Sequence, residues 1–166
     1  MPPPSSARLL LFRQLDPALG GQAQFLEVRQ GAQAVRLKTG PMGEAFKVLN
    51  QCTLDLLSQW GLDPAQHATS QRGPRMINQS ALVRKIIADY PKDALSMGEQ
   101  GIMRMRLIVS AEGTVESCTI IKATNTATLE SPACKVMERA RFEPALDAQG
   151  QPFRSFYATS ITYRIG

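Results

Sequence analysis

Gly101-Ile102-Met103-Arg104-Met105-Arg106-Leu107-Ile108-Val109-Ser110-Ala111-Glu112-Gly113-Thr114-Val115-Glu116-Ser117-Cys118-Thr119-Ile120 is where the sequence period changes to two. Met103, Met105, Leu107 and Val109 fall on one face, and Arg104, Arg106 and Ile108 fall on the other. Successive side chains of a strand point to opposite faces, so this spacing predicts a strand with one buried side and one largely wet side. Glu112-Gly113 makes the turn, and Val115, Cys118 and Ile120 form the apolar set of a return strand. The step of three between Val115 and Cys118 breaks the alternation and predicts a bulge near Glu116-Ser117.

Downstream of this hairpin, Leu129, Ala133, Val136, Met137 and Ala140 recur at helical spacing, with Lys135, Glu138 and Arg139 on the wet side. Thr128 or Ser131 can cap this helix, Pro132 fits its first turn, and Pro144 ends it. After the turn at 147–152, Phe153–Ile165 reads as a closing strand. Tyr157, Thr159, Ile161, Tyr163 and Ile165 share one face of it, and Phe156, Ala158, Ser160 and Thr162 the other. Upstream, Asn78 is positioned to cap a helix with Leu82, Val83, Ile86 and Ile87 inward, and Tyr90-Pro91 stops it, because proline disfavours helical geometry in the preceding residue. Residues 63–77, with Asp63-Pro64, His67 and Gly73-Pro74, read as a linker.

Further upstream, Phe46, Leu49, Thr53, Leu56 and Trp60, widened by Leu57, predict an amphipathic helix that ends at Gly61. Residues 24–29 and 34–38 alternate around Gln30-Gly31-Ala32 and predict a β-hairpin. Leu9–Phe12 is a short apolar run, and Asp16-Pro17 with Gly20-Gly21 reads as turn. The expected fold class is therefore α+β: a C-terminal α-β-β-α-β domain with a small antiparallel sheet covered by two helices, preceded by a small strand–hairpin–helix segment. The expected boundaries are a disordered N-terminus at 1–6, the small segment at 7–62, the linker at 63–77 and the C-terminal domain at 78–166.

The chain has 166 residues, 43% of them hydrophobic and 20% charged, which describes a foldable globular sequence. Its net charge is +5, but the cations are scattered over amphipathic segments, so a solvated basic surface is favoured and nucleic-acid binding is not expected. No apolar run approaches the ~20 residues of a membrane-spanning helix. Met1–Ser6 lacks the charged start and apolar core of a signal peptide. The three cysteines match no zinc spacing and are read as small buried apolar residues. His67 is the only histidine and is expected in a loop, which leaves no histidine-dependent hydrolase and no multi-histidine metal site within the chain. No catalytic residue, cofactor or metal is expected.

The order helix, Tyr90-Pro91, strand, turn, strand, helix, Arg141-Phe142-Glu143-Pro144, strand resembles the C-terminal domain of the TonB family of energy transducers. Ala94, Gly101 opening a strand, Glu112-Gly113-Thr114-Val115 at the turn, Leu129-Glu130 before the helix and Gly150-Gln151-Pro152 before the last strand match in the same order. The resemblance covers about residues 78–165. Two positions depart from the family pattern: Ile87 stands where a Gln is common, and Ala123-Thr124-Asn125 replaces Ser-Ser-Gly.

The resemblance implies a periplasmic, non-enzymatic module that captures the extended N-terminal peptide of outer-membrane TonB-dependent receptors, in energy-coupled transport. Capture would be by β-strand addition to the last strand, with Phe153, Ser155, Phe156, Tyr157, Thr159, Ile161 and Tyr163 forming the peptide-binding edge. Tyr90, Pro91, Gly113, Phe142 and Pro144 carry the family motif. Inner-membrane motor proteins would be engaged through a segment outside this sequence, and the anchor or export signal is likewise not in it. Cys118 and Cys134 resemble a pair found in one branch of the family. In the periplasm they could form a disulfide tying the second strand to the helix after it; in a reducing compartment they would remain buried thiols. The alternative function is an envelope scaffold or self-associating domain, a homodimer formed through the same edge, without energy transduction.

Overall fold

The computed structural model describes residues 14–123 and 133–163. They divide into two compact units, with the boundary between Ala68 and Thr69.

In the first unit, Asp16-Pro17 starts a helix. The Asp16 carboxylate accepts the Ala18 N–H at 2.9 Å, and α1 runs Pro17–Gly21. Proline lacks the N–H that a first helical residue leaves unused, which makes Asp-Pro a helix start as readily as a turn. β1 (Phe25–Gln30) and β2 (Gln33–Lys38) form the expected hairpin, in register from Phe25↔Lys38 to Gln30↔Gln33. Gly31, at φ +59°, takes the left-handed position of the two-residue turn.

α2 (Gly43–Gln59) follows, and Asn50 on it exchanges two 2.8 Å hydrogen bonds with the backbone of Leu15. Of the apolar residues placed on its buried stripe, only Leu57 is buried; Leu49 and Leu56 are exposed, as is Cys52. A unit this small has too little interior to cover a whole stripe.

Asp63-Pro64 repeats the Asp16-Pro17 signal. Asp63 Oδ1 accepts the Ala65 N–H at 2.9 Å, and α3 runs Pro64–Thr69. His67 is therefore helical and buried, with its Nδ1 2.7 Å from the Asp63 carbonyl oxygen. Burial holds its pKa below the ordinary value. The segment expected as a linker thus holds a helix and, beyond the unit boundary, a strand.

That strand, β3 (Arg75–Met76), belongs to the second unit and pairs there with β6 (Phe142–Glu143). α4 (Gln79–Ala88) and α5 (Lys92–Ser96) lead into β4 (Gly101–Val109), which turns into β5 (Val115–Ala123). A helical turn over 133–137, α6, precedes β6, and β7 (Ala145–Leu146) pairs with β8 (Pro152–Phe153). β9 (Ser155–Tyr163) closes the three-stranded sheet, whose order is β5-β4-β9.

The core lies on one side of this sheet. Met103, Met105, Leu107, Val109, Ile161 and Tyr163 point inward, and Leu82, Ala94, Ala133, Val136, Met137, Ala140 and Phe142 pack over them. A mixed helix–strand domain with helices over one face of an antiparallel sheet is what the two sequence periods predicted. The bulge is there too: Ile108 pairs with Ser117 and Val109 with Val115, leaving Glu116 unpaired in the ladder. A second register shift, at Ile121, was not anticipated.

The stripe expected on α4 is narrower than its sequence suggested. Leu82 is buried and Ile86 partly so, but Val83 and Ile87 are exposed. Asn78 makes no side-chain cap. Its amide donates to the Arg139 carbonyl at 3.0 Å and its Oδ1 accepts the Arg141 N–H at 2.9 Å, fastening α4 to the chain entering β6. The expectations for residues 1–6, Leu9–Phe12, Thr128–Pro132 and Arg164–Ile165 fall outside the described residues.

Candidate functional site

β9 pairs with β4 without a break, from Val109↔Ser155 to Gly101↔Tyr163, and among the described strands it is an outer one. β5 is the other outer strand, but its two register shifts interrupt its ladder with β4. Bulges twist and kink a strand and spoil it as a template for further pairing. β9 is the regular edge.

The side chains expected at that edge divide into three groups. Phe153 lies on β8 rather than β9, is buried, and pairs with Ala145. Ile161 and Tyr163 belong to the core, Tyr157 packs against it, Ser155 is buried, and Thr159 is half-buried. Phe156 is half-buried on the opposite face, and its neighbours there, Ala158, Ser160 and Thr162, are exposed. A partner laid along β9 would therefore meet small side chains, Ala158, Ser160 and Thr162.

The motif residues hold β9 from behind. The Tyr90 ring meets Tyr163 edge-on at 5.1 Å, and its hydroxyl donates to the Glu99 carbonyl. Phe142 packs against Tyr157 with ring centroids 5.0 Å apart. Burial raises the phenol pKa values of Tyr157 and Tyr163, so both remain neutral hydroxyls. Phe142 N–H donates to the Gly113 carbonyl at 2.8 Å, and a Cβ on Gly113 would lie 2.0 Å from the Phe142 oxygen. Pro144 is half-buried between β6 and β7, and Pro91 is half-buried after α4.

Glu143 of the same motif receives Arg75 and, at 3.2 Å, Arg72. The Arg75 guanidinium is the main reason that its carboxyl pKa is lowered. At the other edge of the sheet, Cys118 of β5 is joined to Cys134 of α6 by a disulfide with Cα atoms 5.7 Å apart.

Arg104, Arg106 and Lys122 share the outer face of the sheet. The register sets Arg104 opposite Lys122 and Arg106 opposite Thr119, whose hydroxyl accepts Arg106 Nη2 at 3.4 Å. Like charges directly opposite repel, so this face favours a partner bearing acid groups. Among the described residues, no group of three or more His, Cys, Asp or Glu is placed to hold a metal ion.

The family model for the Gram-negative bacterial TonB protein C-terminal region matches residues 88–165. Over residues 88–165 the chain is similar to TonB C-terminal domains. This family is associated with transport. The TonB match begins at the end of α4 and runs through all three strands of the main sheet. Among solved structures, the solution structure of the Helicobacter pylori TonB C-terminal domain is similar at 20% identity and a TM-score of 0.41, covering 53% of this chain and 77% of that one. A search of curated proteins finds no match. Among the described residues, no helix is long and apolar enough to cross a membrane.

Proposed function

We propose that the TonB-type domain is a periplasmic peptide-capture module. It takes the extended N-terminal segment of an outer-membrane TonB-dependent receptor as an added strand along β9, in energy-coupled transport. The observation that carries this reading is the unbroken nine-residue pairing of β9 with β4, against the twice-shifted β5 on the other edge. An added strand gains affinity from backbone hydrogen bonds and specificity from alternate side chains. The exposed Ala158, Ser160 and Thr162 leave room for those side chains, and Arg104 and Lys122 on the same face would attract acidic ones. The Cys118–Cys134 disulfide is in keeping with an oxidising compartment. Coupling to inner-membrane motor proteins would use a segment outside this sequence. An envelope scaffold whose β9 edge pairs with its own copy is the second reading, favoured by the same geometry.

Adjacent residues of an edge strand point their N–H groups alternately toward the neighbouring strand and outward. Proline at whichever of Thr159 and Ser160 points outward should abolish binding of a receptor N-terminal peptide while the domain still unfolds cooperatively. Proline at the other should unfold the sheet. The measurements are peptide titration by calorimetry and thermal unfolding of both variants. Retained affinity in a folded variant at both positions would sink the capture reading. Loss of a dimer instead of peptide binding would favour the scaffold.

A further inference from the structure

α2 carries a second apolar row that its own unit does not use. Phe46 and Leu57 lie on the covered side, where Phe46 meets Gly20 and Leu57 is fully buried. Val48 and Leu57 are nine residues apart, so at ~100° per residue they lie on opposite sides of the helix. Val48, Cys52 and Leu56 recur at a spacing of four on that outer side. Val48 is 70% exposed, Leu49 beside it 53%, Leu56 38%, and Cys52 is exposed as well. Lys47, Gln51 and Asp55 run alongside at the same spacing. Gln51 Nε2 donates to Asp55 Oδ1 at 2.8 Å, and Lys47 Nζ reaches Glu44 at 2.7 Å.

This flanking row has a cation toward one end and an anion toward the other, which makes it complementary to itself turned end for end. We propose that a second copy of this chain covers the face, two α2 helices packing antiparallel about Cys52. Val48 then meets Leu56 of the second copy, Lys47 lies beside Asp55 of the second copy, and the two Cys52 side chains face each other. In a parallel pair the two flanking rows would lie on opposite sides of the seam, and this complementarity would go unused. One exposed helix row is less than the ~800 Å² per partner of a stable interface, so the contact forms a weak, exchanging dimer until the thiols are joined. Joining them forms one Sγ–Sγ bond; two protons and two electrons pass to a disulfide oxidant, such as oxidised glutathione, which leaves as two thiols.

The test uses the full chain in an oxidised and reduced glutathione buffer, read by non-reducing electrophoresis, with circular dichroism to verify the fold. A Cys52-linked dimer should accumulate. Asp55→Lys should slow its formation about tenfold by setting Lys47 against a second cation, and Lys47→Glu combined with Asp55→Lys should restore it. Cys52→Ser should remove the covalent dimer yet leave concentration-dependent self-association in sedimentation under reducing conditions. No dimer, or equal rates for wild type and Asp55→Lys, would overturn the proposal. A chain that dimerises only after deletion of residues 1–13 would overturn it in favour of the chain's own N-terminal segment as the occupant.

Discussion

At the scale of single residues, Gly113 is the most constrained position in the domain. Its φ of +80° is one that side chains with a Cβ adopt at a cost of about 1–2 kcal/mol, and that Cβ would also run into the Phe142 carbonyl. Gly113→Ala should therefore destabilise the domain by at least about 2 kcal/mol, read as a lower urea midpoint. Its effect should reach β9 through Phe142 and Tyr157. What the sequence hid at this scale was of two kinds. Asp16-Pro17 and Asp63-Pro64 each look like turns, and each starts a helix, because the same pair of residues satisfies both geometries. Asn78 looks like a cap, and its amide is instead spent on Arg139 and Arg141, some sixty positions away. No local pattern encodes that choice.

At the scale of elements, β4, β5 with its first bulge, the helices over them and β9 were legible, because one face of each is buried and a buried face writes its period into the sequence. The short strands were not. β3, β6, β7 and β8 span two residues each, too few to show any period. They also matter for the edge: β7 and β8 withdraw Phe153 from the strand to which it was assigned. The exposed residues of β9 were legible as a face, but its place at an edge was expected only from the resemblance, since alternation alone does not say which strand lies outermost. The disulfide joins β5 to α6 across a separation of sixteen residues, and for a loop of that length its removal should cost about 3 kcal/mol. Cys118→Ser should lower the urea midpoint to the same extent as reduction of the parent chain. Because β5 and β9 lie on opposite sides of β4, peptide affinity measured well below that midpoint should change little.

At the scale of the whole molecule, the two units carry charges that respond in different pH windows. His67 in the first is held neutral by burial, with a folded pKa below the ordinary 6.5. Its contribution is complete above that value and is lost as pH falls from there through the folded pKa, since the unfolded chain takes up the proton first. Glu143 in the second has a carboxyl pKa lowered from 4.5, so its contribution is present above that value and is lost only in more acid solution. Trp60, the only tryptophan, sits at the end of α2 and reports on the first unit. Its fluorescence transition in urea should move to lower denaturant between pH 7 and pH 5, while the near-ultraviolet tyrosine signal should hold until lower pH. His67→Gln should flatten the first shift; an unchanged pH response in that variant would remove His67 as its cause.

Chain order adds a consequence of the strand order. β9 is translated after every other described strand, and its sheet partner β4 precedes it by more than forty residues. Until β9 emerges, β4 is itself an outer strand that carries the apolar run of Met103, Met105, Leu107, Ile108 and Val109. A chain stalled or cut before Ser155 would thus do more than lose an outer strand. It would exchange a polar edge for a sticky one, and such truncations should accumulate as aggregates rather than as idle monomers.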